Sequence, residues 1–205
     1  MKNPTKVPQV LFGIYLLFFI ALGIQPYARD VWIAENIPVV ALVAVLYFLY
    51  RRKIQFSNLS YVLMCFFIFL HTIGGHFTFE RVPFDFITEL FGFERNHFDR
   101  FAHFSVGFFA FPIAELLVVR KLTMSKWIVF LFPVFTIFAI ASIYEIIEWW
   151  YAATQDPTAG AAFLGSQGDI WDAQKDMLAD GSGAILATFL YFFVRKSQLK
   201  NLQKR

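Results

Sequence analysis

Asp172, Asp176 and Asp180 stand four residues apart in an apolar stretch near the end of this 205-residue chain. On a helix that interval puts all three on one face. At 1.5 Å per residue, Asp180 lies about 16 Å along the axis from Asp169, deep enough to approach a bilayer midplane if Asp169 marks its surface. An ionised carboxylate there costs at least a few kcal/mol unless it is paired, ligated or hydrated. Asp99 and His103 repeat the four-residue interval, a spacing that suits two metal ligands or a carboxylate orienting an imidazole. Glu145 and Glu148 stand three apart, just before Trp149-Trp150-Tyr151. Neighbouring carboxylates repel unless a cation or a shared proton relieves them.

Oxygen-rich ligands with an imidazole suit Mg, Mn or Zn, and Ca also fits. In this reading Asp99, His103, Glu145, Asp172 and Asp176 hold a divalent metal. Glu148 or Asp180 then acts as general base on bound water, with a lipid or cell-envelope molecule as substrate. Simpler roles compete residue by residue. Asp169 and Asp172 suit the cap and first turn of a helix, Asp99 suits a cap, and one of the glutamates suits the headgroup region. His71 and His76 flank a Gly74-Gly75 pair that could break a helix and turn His76 inward, and Glu35 is a weaker candidate.

The elements that must position these groups follow from composition. Of the chain, 58% is hydrophobic and only 16% charged, with 28 Phe and a mean hydropathy of +0.56. A soluble domain is about half apolar and a quarter charged. The balance excludes disorder, collagen and coiled coil. The single cysteine, Cys65, excludes an internal disulfide framework. Stretches near 20 apolar residues fall at about 7–27, 31–50, 57–76, 97–119, 127–150 and 170–194. The expected fold is therefore all-α: a polytopic integral membrane helix bundle of about six transmembrane helices, forming a single domain over 1–205. The first stretch reads as a span, because no small-residue cleavage site follows it before Gln25-Pro26. Ala179, Gly183 and Ala187 form a small-residue seam that lets the last helix pack centrally.

Charge orients the bundle. With both termini cytoplasmic, 13 of the 18 Lys and Arg fall on the inner side, including Arg51, Arg52, Lys53, Arg120, Lys121 and Lys126. The pI near 9.0 is thus a topology signal. No continuous basic stripe exists for phosphate contact, so nucleic acid is not an expected partner, whereas membrane lipid is. Of 15 acids, 14 lie in the outer loops or outer helix halves, with Glu115 the exception, and all four histidines join them. The positive-inside rule does not require that asymmetry, because acids contribute little to topology.

No Ser-His-Asp triad, P-loop or dinucleotide fingerprint occurs at usable spacing. Two other functions stay open beside the metal enzyme. One is a small proton- or cation-coupled transporter using Glu145, Asp176 and Asp180, for which a homodimer would supply the missing half. The other is a structural or regulatory protein in which Arg100 and Lys175 pair with the buried acids.

The run Asp99-Arg100-Phe101-Ala102-His103-Phe104, an acid on the next span, and Gly168-Asp169-Ile170-Trp171-Asp172 with Asp176, Asp180 and Gly183 resemble the VanZ-like superfamily. That pattern has Lys where Arg100 stands and commonly Asn where Asp176 or Asp180 stands, so this chain carries the more anionic version. Over the whole chain, the six-span layout with His71-Thr72-Ile73-Gly74-Gly75-His76 and Tyr144-Glu145-Ile146-Ile147-Glu148-Trp149 resembles the YjdF family of bacterial inner-membrane proteins. The resemblance implies a multi-pass protein of the bacterial cytoplasmic membrane and brings no assigned chemistry.

Overall fold

A computed structural model describes residues 6–154, 157, 160, 164 and 166–202; Lys2, Lys204 and Arg205 of the basic tally lie outside them. The described residues are helical, with no strand. The helices are α1 (Val7–Leu22), α2 (Arg29–Arg51), α3 (Asn58–Phe77), α4 (Asp85–Phe91), α5 (Phe98–Val106), α6 (Ala110–Val119), α7 (Lys126–Thr154), α8 (Asp172–Val194) and α9 (Lys196–Leu202). Five segments are long and apolar enough to cross a membrane: α2, α3, the α5–α6 unit Phe98–Val119, α7 and α8. Helix α1 is apolar but shorter, at 16 residues. The chain is a polytopic helical membrane protein.

The two ends of the bundle follow from contacts. At one end the start of α3, the end of α6 and the residue after α8 meet, since Ser57 and Ser60 bond Glu115 and Arg195 stands 4.0 Å from it. Gln9 of α1 and Tyr50 of α2 bond one another. The basic residues Arg51 to Lys53, Arg120, Lys121 and Lys126 flank these same helix ends, which makes this the basic end. At the opposite end, His76 Nδ1 lies 2.7 Å from Leu22 O and Tyr27 N–H donates to His76 O at 2.9 Å, tying the α1–α2 turn to the end of α3. The glycine pair does not break α3, which continues to Phe77. Gly74 makes room for the Phe79 ring, and Gly75 for Asn36 and Glu35 of α2.

Helix α8 is the hub, packed against α5, α6, α7 and α9. Its buried Gly183, Ala184 and Ala187 allow this, while Ala179 of the expected seam is only half-buried. A Cβ on Gly107 would strike the α8 backbone at Ala184, and one on Gly183 would strike the Phe104 carbonyl, so two backbones cross where only glycine fits. The same crossing interrupts the α5–α6 span with a 3-10 turn at Gly107–Phe109. Pro112, four residues after Phe108, removes the hydrogen bond that would keep that turn α-helical. Below the crossing, Phe111, Ala114, Val129, Ile137, Ala187 and Tyr191 form the main core. The outer belt of Leu17, Phe132, Phe135, Phe189 and Phe193 is exposed, as lipid-facing positions are. Helix α4, absent from the hydropathy reading, is a short element whose Phe86, Leu90 and Phe91 are all exposed, the profile of a segment lying at the membrane surface.

Candidate functional site

The close approach of α5 to α8 brings two polar faces together inside the bundle. Asp172, Asp176 and Asp180 are all buried, Asp180 to 1% exposure. Against them lie Asp99, Arg100 and His103 of α5, joined by Arg95 from the preceding segment. The arrangement divides into a clamp and a cluster.

The clamp sits nearer the membrane surface. Arg95 Nη1 donates to Asp172 Oδ1 at 2.8 Å and to Ser166 O at 2.8 Å, and lies 3.5 Å from Asp169 Oδ2. Arg100 Nη2 donates to the same Asp172 oxygen at 2.5 Å. Two guanidinium groups therefore share one carboxylate oxygen. Outside the spans, Asp169 accepts from Lys175 Nζ at 2.7 Å and from Trp171 N–H at 3.1 Å. The Lys175 bond, and then the Trp171 amide, hold the Asp169 carboxyl below its ordinary range. His97, just before α5, is pushed below the usual imidazole value by desolvation first, then by the charges of Arg95 and Arg100.

The cluster lies one to two turns deeper. His103 Nδ1 is 3.1 Å from Asp180 Oδ2, and Nε2 is 3.7 Å from Asp99 Oδ1. The first distance is a hydrogen bond; the second is too long for one. With the Nδ1 proton given to Asp180, the Nε2 lone pair faces Asp99, the arrangement by which a carboxylate orients a metal-binding imidazole. Ligand atoms of Asp99, His103 and Asp176 all lie within 4.8 Å of one another. Two atoms each about 2.1 Å from a shared ion stand about 3 to 4 Å apart, so the group has the right scale. Three buried carboxylate oxygens, Asp176 Oδ1, Asp180 Oδ1 and Glu145 Oε1, have no hydrogen-bond partner among the described residues. Arg100 Nε is 3.0 Å from Asp176 Oδ1 but misaligned for a hydrogen bond, so it contributes charge alone.

Beside the cluster lies a cavity of about 270 Å³. Its polar end carries Asp99, His103 and Asp180 on one wall and Glu35, His71, Tyr144 and Glu148 on the other; the rest is apolar, with Val39, Leu42, Phe67, Phe109, Ile113 and Ile137. His71 Nε2 lies 3.0 Å from Glu35 O and 3.3 Å from Glu35 Oε2, and Tyr144 Oη donates to that carboxylate at 3.3 Å. The Tyr144 ring presents an edge-on geometry to both imidazoles, with centroids 6.4 Å from His71 and 6.5 Å from His103.

Of the residues singled out from sequence, Asp99, His103 and Asp176 are brought together, and Asp180 supports His103. Asp172, expected among the metal ligands, has Oδ1 engaged by the two arginines. Glu145 lies outside the three-residue group, though within electrostatic range of His103 and Asp99. Glu148 lines the cavity and makes no hydrogen bond or ion pair among the described residues. Lys175 corrects the expected lock: it is half-exposed and pairs with Asp169, because a side chain on the outer face of α8 cannot reach the buried Asp172 and Asp176. His76 docks on Leu22 rather than entering the site. Arg95 and the Glu35–His71–Tyr144 group were missed as partners. The available signal for the latter was an acid and an imidazole at the acidic ends of two apolar spans. For Arg95, in a connecting segment, there was none.

The comparisons with known proteins agree with this architecture. Residues 7–197 match the family described as "Predicted membrane protein (DUF2238)". The chain is 36% identical over 186 residues to the inner membrane protein YjdF of Escherichia coli (strain K12), covering 87% of this chain and 85% of that protein. No solved structure matches at a significant level. The wider VanZ-like resemblance rests on the motifs of α5 and α8 alone. Matched along nearly its whole length, and helical with several membrane-crossing segments, this chain belongs to the DUF2238 family as a multi-pass protein of the bacterial inner membrane.

Proposed function

We propose that the protein is a metal-dependent membrane enzyme acting on an amphipathic membrane or envelope molecule, with Asp99, His103 and Asp176 as the metal ligands. The observation that carries this reading is the three-residue group, with Asp176 buried and Asp99 and His103 partly buried, beside carboxylate oxygens that lack hydrogen-bond partners among the described residues. A fold that needed those acids only for stability would supply each with donors, since an unsatisfied buried polar atom costs about 1–3 kcal/mol. A divalent ion held by Asp99, His103 and Asp176 would polarise a phosphoryl or carbonyl oxygen and acidify bound water.

The chain's own residues have separable roles in this reading. Asp180 fixes the His103 tautomer. Arg95 and Arg100, through Asp172, hold α5 against α8 and so keep Asp99 and His103 opposite Asp176. The structural alternative thus survives as one part of the site, the clamp. Glu148, which lines the cavity and has no hydrogen bond among the described residues, is the base that takes a proton from the nucleophile. The apolar remainder of the cavity receives hydrocarbon.

The test is the metal content of the detergent-purified full chain, prepared without chelators. About one equivalent of divalent metal is expected, lost in Asp176→Ala and in His103→Ala. Metal-free protein, or equal metal in the variants, refutes the proposal and turns attention to proton-coupled uptake.

A further inference from the structure

Metal chemistry on one wall of the cavity leaves the opposite wall unexplained. Glu35 and Glu148 face Asp99 and Asp180 across it, and among the described residues no Lys or Arg lines it. Four carboxyl groups stand against two imidazoles there, so acids outnumber bases at this end of the cavity. The nearby cations are engaged outside the cavity, Arg95 at Asp172, Arg100 at Asp172 and Asp176, and Lys175 at Asp169. Asp180, 1% exposed, keeps an oxygen without a hydrogen-bond partner among the described residues, and Glu148 has no bond at all there. Tyr144 and Phe79 add aromatic surface to the same end, which suits a cation lying on a ring. The remaining walls are apolar. A metal at Asp99, His103 and Asp176 offsets charge on its own wall and leaves Glu35 and Glu148 facing it.

We propose that the cavity selects an amphiphile whose head group carries an ammonium, with that group between Glu148 and Glu35 and its hydrocarbon along the apolar walls. The inference rests on the preceding reading of the cavity as the place of the substrate, and it adds the substrate's class. An anionic head group without an ammonium meets the carboxylates of this wall and is rejected by repulsion.

The experiment is calorimetric titration of the full chain, in a nonionic detergent, with dihexanoyl phosphatidylethanolamine and with dihexanoyl phosphatidylglycerol. Both share tails and phosphate and differ in the ammonium. The ethanolamine form is expected to bind about tenfold tighter or more, which is about 1.4 kcal/mol. Glu148→Gln, which replaces an acid that has no hydrogen bond among the described residues, is expected to abolish that preference. Equal binding of the two lipids, tighter binding of the glycerol form, or a preference unchanged in Glu148→Gln overturns the proposal. Metal content measured on the same samples separates the two ideas: metal retained without head-group preference leaves the metal site standing, and preference without metal leaves the ammonium pocket standing.

Discussion

At the basic end of the bundle, Glu115 is buried under conditions much like those of Asp176 and Asp180 at the acidic end. Its surroundings are the opposite. Both Glu115 oxygens accept from Ser57 N–H, at 3.1 and 3.2 Å, and one also accepts from the Ser57 hydroxyl at 3.0 Å and from Ser60. Its position at the first turn of α3 places the charge against the positive end of that helix. Arg195 stands 4.0 Å away. At the acidic end, more charges are buried together and oxygens of Asp176, Asp180 and Glu145 lack hydrogen-bonded partners. A fold that saturates one buried carboxylate with donors from the start of one helix has the means to saturate others. The three acidic-end oxygens left short of donors are the support for the metal site proposed above.

Substitutions can break this comparison. The largest effect belongs to the clamp. Asp172→Ala strips the shared acceptor from two nearly buried guanidinium groups and is expected to cost about 3 kcal/mol in equilibrium unfolding in detergent. Glu115→Gln, which turns an amide NH₂ against the donors of Ser57, is expected to cost about 2 kcal/mol by the same assay. Asp176→Asn should change stability by less than about 1 kcal/mol, or raise it, because function-bearing charge is held at the expense of stability. A cost for Asp176→Asn as large as that of Glu115→Gln would erase the distinction between the ends.

The smallest effect is at the surface. Since the Lys175 bond lowers the Asp169 carboxyl, the pair stabilises the folded state above the ordinary Asp range, and this contribution fades as pH falls through the depressed value. Lys175→Met should lower stability slightly at neutral pH, converge with the parent protein at acid pH, and so flatten that acid-side loss. Thermal scans of both proteins across the acid range check it.

Much of this layout is legible in sequence because bilayer physics writes it there. Apolar length marks the crossing segments, and the four-residue intervals of α8 and α5 put Asp172, Asp176 and Asp180 on one face and Asp99 and His103 on another. Periodicity within a helix says nothing about which faces meet. That depends on the glycine crossing of Gly107 and Gly183, on Arg95 reaching back from a connecting segment to Asp172, and on α2 and α3 setting Glu35 beside His71. Each joins residues far apart in the chain. Lys175, expected to pair with the buried acids, shows the limit: on a helix consecutive residues point about 100° apart, so it faces outward to Asp169.

The most direct test of the contrast is Mn²⁺ binding and equilibrium unfolding, measured side by side on Asp176→Asn and Glu115→Gln. The account predicts a double dissociation. Asp176→Asn should weaken Mn²⁺ binding by about tenfold or more while keeping its stability, and Glu115→Gln should keep Mn²⁺ binding while losing stability. Unaltered Mn²⁺ binding in Asp176→Asn, together with a loss of stability matching that of Glu115→Gln, would contradict it and make the acidic end as structural as the basic one.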